Sequence, residues 1–157
     1  MYREALRKLS SENCYHKGND EYSTPDWLKK GLFSGWFDPC PFNDGLVNRD
    51  GLNSDWVGNR IFLNPPYSRP LPWIEKAIAE HRKGKTIALL VKHDSSTLWW
   101  AKLHEEGAYF LPIMGRLQFV AEKGRRKGRK AAAPFPSVLA ILHFDEKERL
   151  CLGEKAC

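Results

Sequence analysis

Strand-like and helix-like segments alternate through the middle of the chain, and this alternation limits the fold more than any other feature. Residues 60–63 and 86–91 are short apolar runs with the length and composition of buried strands. Between them, apolar side chains recur at the spacing of one helical face over 71–81, and Gly84 follows as a stop. We therefore expect an α/β fold with a mostly parallel sheet and helices on its faces.

Further elements flank this core. Thr24 is a good N-cap and Pro25 suits the first helical position, so a short helix should begin there. Ser95 or Ser96 should cap another helix. Strands are also predicted at residues 36–38, 108–113, 116–120 and 137–144. Because no helices separate the last strands, the far edge of the sheet should be antiparallel, with its first two strands joined by a tight turn.

The chain length of 157 residues is that of one domain. We expect a polar lead-in at residues 1–22, a folded domain at 23–145 with a basic loop at 121–133, and a polar tail at 146–157. The longest purely aliphatic run is 87–91, far shorter than the roughly 20 residues that span a membrane. Since the N-terminal residues hold no apolar secretory signal, we expect a cytoplasmic protein without a membrane segment.

Cysteine spacing argues against a structural metal and against disulfides. The four cysteines form no CxxC pair, and no histidine lies near them at the spacing of a zinc site. They are Cys14, Cys40, Cys151 and Cys157. We therefore expect reduced thiols and no bound metal.

Positive charge is concentrated in one segment. The formal net charge is +6, and residues 122–130 contribute six Lys/Arg and one Glu, or +5, which leaves +1 for the rest of the chain. Clustered Lys and Arg are typical of a contact with a polyanion such as a nucleic acid, because each one that neutralises a phosphate releases counterions. A solvated loop that only aids solubility is the alternative. The candidate DNA-binding residues are Lys123, Arg125, Arg126, Lys127, Arg129 and Lys130.

The tetrapeptide Asn64-Pro65-Pro66-Tyr67 directly follows the strand predicted at 60–63. Methyl transfer to an aromatic amine needs acceptors for the amine N–H groups, because the nitrogen lone pair is delocalised into the ring. The Asn64 amide oxygen and the rigidly held Pro65 carbonyl fit these roles. The ring of Tyr67 can stack on a base extruded from a duplex. A plain Pro-Pro turn is the alternative, but the strand context favours the catalytic interpretation.

An acid, Asp38, ends the strand predicted at 36–38. An acid in this position can bind the ammonium or ribose of a nucleotide-like cofactor. Such acids also cap turns, and Thr24 with Pro25 is by itself explained as a helix start. Cys40 could suggest a thiol nucleophile, but no matching acid motif accompanies it.

Eight short segments occur in a fixed order between Thr24 and Phe144. They are Thr24-Pro25 with Trp27-Leu28, residues 37–40, residues 44–46, Asp55-Trp56, residues 64–67, Trp99-Trp100, residues 115–119 and residues 133–137. With this ordered set the chain resembles the phage-type DNA N-6-adenine methyltransferase family. The tetrapeptide alone is shared by several kinds of amino-methyltransferase, whereas the ordered set is specific to this family.

The resemblance implies S-adenosylmethionine as methyl donor, adenine in DNA as acceptor, and a Rossmann-like methyltransferase fold of reduced size. It also implies cofactor contacts from Thr24, Pro25, Asp38 and Cys40. One departure is that no glycine-rich GxGxxG turn follows the first predicted strand.

Two other functions fit parts of the sequence. A protein glutamine amino-methyltransferase would share the tetrapeptide but would not need the basic loop, and a non-catalytic DNA-binding module would not need S-adenosylmethionine. If the substrate is DNA, we expect short or relaxed sequence specificity, read by the basic loop and by the turns at 43–54. The sequence does not predict an oligomeric state.

Overall fold

The computed structural model describes residues 22–41, 51–121 and 128–144. In chain order its elements are β1 (Tyr22–Ser23), a π-type helical turn (Trp27–Leu32), β2 (Arg60–Leu63), α1 (Pro70–His81), β3 (Thr86–Lys92), α2 (Leu98–Glu105), β4 (Tyr109–Pro112), β5 (Gln118–Ala121), β6 (Lys130–Ala132) and β7 (Ser137–Leu142). The predicted tail and nearly all of the predicted lead-in lie outside the described residues. The protein is a mixed α/β structure, as the alternation of segments predicts.

The central sheet is mixed and has the strand order β2-β3-β7-β4. β2 and β3 are parallel, and β7 is antiparallel to both of its neighbours. Three of the four strands therefore run in one direction. The predicted antiparallel edge is confirmed, because edge strand β4 pairs antiparallel with β7. The sheet is mixed rather than mostly parallel, because only β2 and β3 pair in parallel and β7 lies inside the sheet.

The residues of β7 and β4 explain why β7 lies inside the sheet and β4 at its edge. Five of the six residues of β7 are buried, as expected for a strand covered on both faces. β4 instead exposes Tyr109 and Leu111 and ends in Pro112, which cannot donate to a neighbouring strand. β4 is therefore the edge strand.

A second sheet has the order β1-β5-β6 and is antiparallel. The strands predicted at 108–113 and 116–120 both exist as β4 and β5, but they belong to different sheets. The prediction that they flank a tight turn within one sheet is therefore wrong. The connection between them instead carries the chain from one layer to the other.

The central sheet is covered on both faces. Ile87, Leu89 and Val91 of β3 pack with buried side chains of α1 and α2. The alternate residues Ala88 and Leu90 pack with the π-type turn and with the second sheet. The structure thus has three layers, and β3 lies at their centre.

The helix termini follow the sequence in part. α1 begins at Pro70 and ends at His81, as the apolar spacing predicts. The predicted Ser95 or Ser96 cap is wrong, because the hydroxyl of Thr97 accepts the Trp100 N–H and caps α2. Ser96 instead donates to the carboxylate of Asp94.

No helix within the described ranges is both long and apolar enough to cross a membrane.

A buried acid on α1 binds three lysines. The Glu80 side chain is 1% exposed and lies 3.3 Å from Lys76, 2.7 Å from Lys83 and 2.5 Å from Lys85. Lys85 also donates to the Trp56 carbonyl, so the cluster links α1 to the loop before β2. Burial opposes ionisation, but hydrogen bonds from Lys83, Lys85 and Lys76 outweigh it and lower the pKa of Glu80 to about 2.

Candidate active site

The tetrapeptide Asn64-Pro65-Pro66-Tyr67 begins directly after β2. Since β2 and β3 are parallel, their carboxyl ends lie at the same edge of the central sheet. The Arg69 N–H donates to the Pro66 carbonyl at 3.2 Å and closes the turn that leads into α1. The catalytic residues predicted from the sequence therefore lie where an open α/β sheet usually places its ligand.

The Asn64 carboxamide is held at one end only. Its Nδ2 donates to Oγ1 of Thr24 at 3.0 Å, across a sequence separation of 40 residues. Its Oδ1 is buried and finds no hydrogen-bond partner among the described residues. A buried acceptor without a partner costs about 1–3 kcal/mol, so this oxygen is suited to accept an N–H from a ligand.

Tyr67 has a buried hydroxyl and a ring set among aromatic side chains. The ring packs edge-on against Phe119 at 6.1 Å and against Phe135 at 5.0 Å between centroids. The Lys92 ammonium lies 5.4 Å from the centroid of the Tyr67 ring and 4.6 Å from that of Phe135. Burial raises the pKa of the Tyr67 phenol, which therefore stays neutral at physiological pH.

Two pockets meet at Tyr67. One is lined with Phe119, Phe135 and residues 131–134, which come from the second sheet and the segment before β7. The other is lined with side chains near the carboxyl end of β3 and the start of α1. The tyrosine is thus the shared wall of both pockets and is not enclosed in the core.

Asp38 lies at the same sheet edge. Phe37 forms a parallel bridge with Ile61 of β2, which places Asp38 beside the end of that strand. This single bridge is all that forms of the strand predicted at 36–38. One carboxylate oxygen of Asp38 lies 2.6 Å from the Lys29 ammonium, and the other accepts the Cys40 N–H at 3.0 Å.

The pairing of Asp38 with Lys29 was not visible in the sequence. Lys29 lies on the π-type turn, nine residues before its partner, and no local pattern links the two. The Asp38 side chain is 14% exposed and that of Lys29 is 40% exposed. An acid and a base side by side can bind the ammonium and the carboxylate of an amino-acid ligand, because a carboxylate accepts more hydrogen bonds than the two seen here.

The other predicted cofactor residues, Thr24, Pro25 and Cys40, lie near Asn64 and Asp38 in the fold. Each has a different local structural role. Thr24 does not cap a helix, since the helical turn begins only at Trp27 with Asp26 before it. Pro25 is buried, and its carbonyl accepts the N–H groups of Leu28 and Lys29. Cys40 packs on the helical side of the central sheet.

The basic segment is attached to a β-hairpin. β5 and β6 are antiparallel, and the Ala121 N–H donates to the Arg129 carbonyl at 3.0 Å. Arg129 and Lys130 are exposed at the loop end of this hairpin, where Lys130 pairs with Val120. The other predicted DNA contacts lie outside the described residues: Lys123, Arg125, Arg126 and Lys127. Because Lys130 directly precedes residues that line the first Tyr67 pocket, the hairpin connects the positive charge to the site.

The fold and the site together define a mixed α/β protein with an Asn-Pro-Pro-Tyr loop at the end of a parallel strand. The chain matches the family described as DNA N-6-adenine-methyltransferase (Dam) over residues 46–155, and it belongs to that family. This range includes the tetrapeptide and the basic segment. It begins after Thr24, Asp38 and Cys40.

Two curated relatives carry the same description. The chain is 42% identical over 105 residues to the DNA N-6-adenine-methyltransferase of Haemophilus phage HP1 (strain HP1c1), which covers 59% of this chain and 61% of that protein. It is 37% identical over 59 residues to the DNA N-6-adenine-methyltransferase of Escherichia phage T1, covering 37% of this chain and 25% of that protein. The chain thus spans about three-fifths of one relative and a quarter of the other. No solved structure matches the chain.

Proposed function

We propose that the protein transfers a methyl group from S-adenosylmethionine to the N6 amine of adenine in DNA. The observation that carries this proposal is the buried Oδ1 of Asn64, which has no partner among the described residues and lies in the same tetrapeptide as Tyr67. Membership of the DNA N-6-adenine-methyltransferase family and the names of both phage relatives support the choice of substrate.

The chemistry requires two acceptors and a flat surface. Asn64 Oδ1 accepts one N–H of the adenine amine and the Pro65 carbonyl accepts the other, which draws the nitrogen toward tetrahedral geometry. Tyr67 provides a face on which the extruded base stacks. No strong base is required, because the amine proton becomes acidic once the nitrogen carries the methyl group.

The methyl donor fits the residues near Asp38. Bound S-adenosylmethionine supplies a methyl group on a positively charged sulfur. Asp38 and Lys29 present opposite charges that match the ammonium and carboxylate of its methionine part. Pro25 and Cys40 complete the proposed cofactor side of the site, whereas the Thr24 hydroxyl contacts the Asn64 amide.

A Rossmann-like methyltransferase fold agrees with this arrangement. Three of the four central strands share one direction, helices cover one face, and the proposed site lies at their carboxyl edge. The exposed side chains of Arg129 and Lys130 extend the site toward the DNA backbone. The basic residues of segment 122–127 add further positive charge to the sequence here.

The test is incubation of the protein with labelled donor and plasmid DNA, followed by nucleoside analysis. The expected product is N6-methyladenine, with no methylated cytosine. A peptide rich in glutamine serves as the competing substrate. Methylation of the peptide with none of the DNA would refute the proposal, and so would a protein that binds DNA but does not bind S-adenosylmethionine in calorimetry.

A further inference from the structure

The hydrogen bond between Thr24 and Asn64 has a consequence for the reaction. The two ends of a carboxamide have nearly the same shape but opposite hydrogen-bonding character, since the oxygen accepts and the NH2 group donates. An adenine amine is a donor, so only the rotamer that presents Oδ1 can bind it. The reverse rotamer would place the NH2 group of Asn64 against the NH2 group of adenine.

We propose that Thr24 is a positioning residue whose hydroxyl accepts the Asn64 amide N–H and so keeps the amide oxygen directed at the substrate amine. This inference rests on the proposed function of Asn64. It gives Thr24 a role distinct from contact with the donor. Two observations support it: the 3.0 Å bond from Asn64 Nδ2, and the Oδ1 of the same group, which finds no partner in the part of the chain that the structure describes.

The local structure holds Thr24 in place. Ser23 pairs with Val120 of β5, so the residue directly before Thr24 is fixed to the second sheet. Pro25 follows with a restricted backbone, and its carbonyl accepts two N–H groups of the π-type turn. The hydroxyl is therefore presented from a rigid segment, as an orienting group requires.

The two roles of Thr24 predict different kinetics. A donor contact affects the affinity for S-adenosylmethionine, whereas a positioning residue affects the rate at saturating donor and DNA. Thr24→Val keeps the shape of the side chain but removes the acceptor, and Thr24→Ser keeps the acceptor. The test measures single-turnover methylation of DNA at saturation, with the dissociation constant of S-adenosylmethionine from calorimetry.

We expect Thr24→Val to slow transfer by about 100-fold, the size of effect that small misplacements of reacting groups produce. Donor affinity and the KM for DNA should change by less than about twofold, and Thr24→Ser should restore most of the rate. Thr24→Ala, which also lacks the acceptor, should show the same loss and serves if the valine variant folds poorly. Thermal unfolding of each variant checks that the loss is not structural.

A double variant tests the coupling. In the Asn64→Ala background, Thr24→Val should have no further effect, because the amide that the hydroxyl orients is gone. A second measurement is independent of catalysis. Hydrogen exchange of the Asn64 side-chain NH2, followed by NMR, should be faster in Thr24→Val than in the wild-type protein.

Three results separate the possible failures. A wild-type rate in Thr24→Val, or unchanged NH2 exchange, would overturn the positioning role. Weaker donor binding with a normal saturated rate would overturn it in favour of a donor contact. Absence of adenine methylation by the wild-type protein, with the exchange difference intact, would count against the proposed function and leave the orienting bond standing.

Discussion

At the scale of single residues, unsatisfied polar atoms mark the site. Roughly 90% or more of buried polar groups in proteins have a hydrogen-bond partner. In the described part of the chain three buried side-chain atoms lack one: Asn64 Oδ1, the Tyr67 hydroxyl and Ser137 Oγ. Ser137 pairs with Lys92 at the end of β3, so all three belong to the same edge of the central sheet. Of the three, Asn64 Oδ1 is the atom whose missing contact we expect the substrate amine to supply.

The roles of the Tyr67 ring and hydroxyl can be separated with two variants. Tyr67→Phe removes a buried hydroxyl without a partner, so stability should stay equal or rise by about 1 kcal/mol, and methylation should persist. Tyr67→Ala removes the stacking face and should slow transfer roughly 10- to 100-fold, which corresponds to about 1–3 kcal/mol of base stacking. Urea unfolding and single-turnover transfer measure the two effects. Loss of activity in Tyr67→Phe would show instead that the hydroxyl binds substrate.

The sequence predicts part of this site and omits part for a physical reason. The tetrapeptide and its position after a strand are local features, and both are found as predicted. The bonds from Asn64 to Thr24 and from Asp38 to Lys29 arise from tertiary packing between segments that share no local pattern. They could therefore be seen only in the folded structure.

At the scale of elements, α1 carries the buried Glu80, which three lysines contact. Removing one member of a buried ion pair leaves charge without compensation, at a cost of about 3–5 kcal/mol. Glu80→Gln should therefore destabilise the protein by several times the effect of Glu75→Gln. Glu75 lies on the same helix, 3.1 Å from Lys102, but is exposed, and such surface pairs contribute about 0–1 kcal/mol. Equal losses in urea unfolding would contradict the role of the cluster.

The same acid predicts a pH dependence. The pKa of Glu80 falls from its ordinary value of 4.5 to about 2 in the folded protein. A lowered pKa means that the stabilisation is complete above pH 4.5 and is lost as the pH falls from there toward 2. Urea midpoints measured between pH 7 and pH 3 should therefore fall less in Glu80→Gln than in the wild-type protein. If the urea midpoints of the two proteins fell equally with pH, Glu80 would not be the source of the lost stability at low pH.

The sequence predicts whether a segment is a helix or a strand better than it predicts which strands pair with each other. The apolar run of β3 and the helical spacing of α1 are strong local signals, and both elements form as predicted. The position of β7 inside the sheet and the place of β5 in a second sheet depend on which surfaces remain to be covered. Pro112 already favours an edge position for β4, so this part of the strand order could have been predicted from the sequence.

At the scale of the whole molecule, the second sheet connects the positive charge to the reacting groups. β5 supplies Phe119 against Tyr67, and β6 supplies residues 131–132 to the adjoining pocket. The hairpin that holds the basic segment is therefore also a wall of the site. DNA bound by the hairpin would lie next to the proposed base-binding loop.

A matched pair of double variants tests the hairpin. Arg129→Gln with Lys130→Gln removes two charges at its loop end, and Lys30→Gln with Lys102→Gln removes one exposed and one half-buried charge elsewhere. For duplex DNA the slope of log affinity against log salt should decrease by about 1.8 in the hairpin variant, since each phosphate contact contributes about 0.9. The control slope should not change. Equal slopes in both variants would show that Arg129 and Lys130 do not contact DNA phosphates.

The central claim is that the Asn64 amide oxygen binds the amine that receives the methyl group. Its most direct test is the rate of N6-methyladenine formation by Asn64→Ala at saturating donor and DNA. The predicted result is a loss of roughly 100- to 1000-fold, as for removal of a group that acts in the transition state, with S-adenosylmethionine still bound. Adenine methylation at the wild-type rate in this variant would contradict the claim.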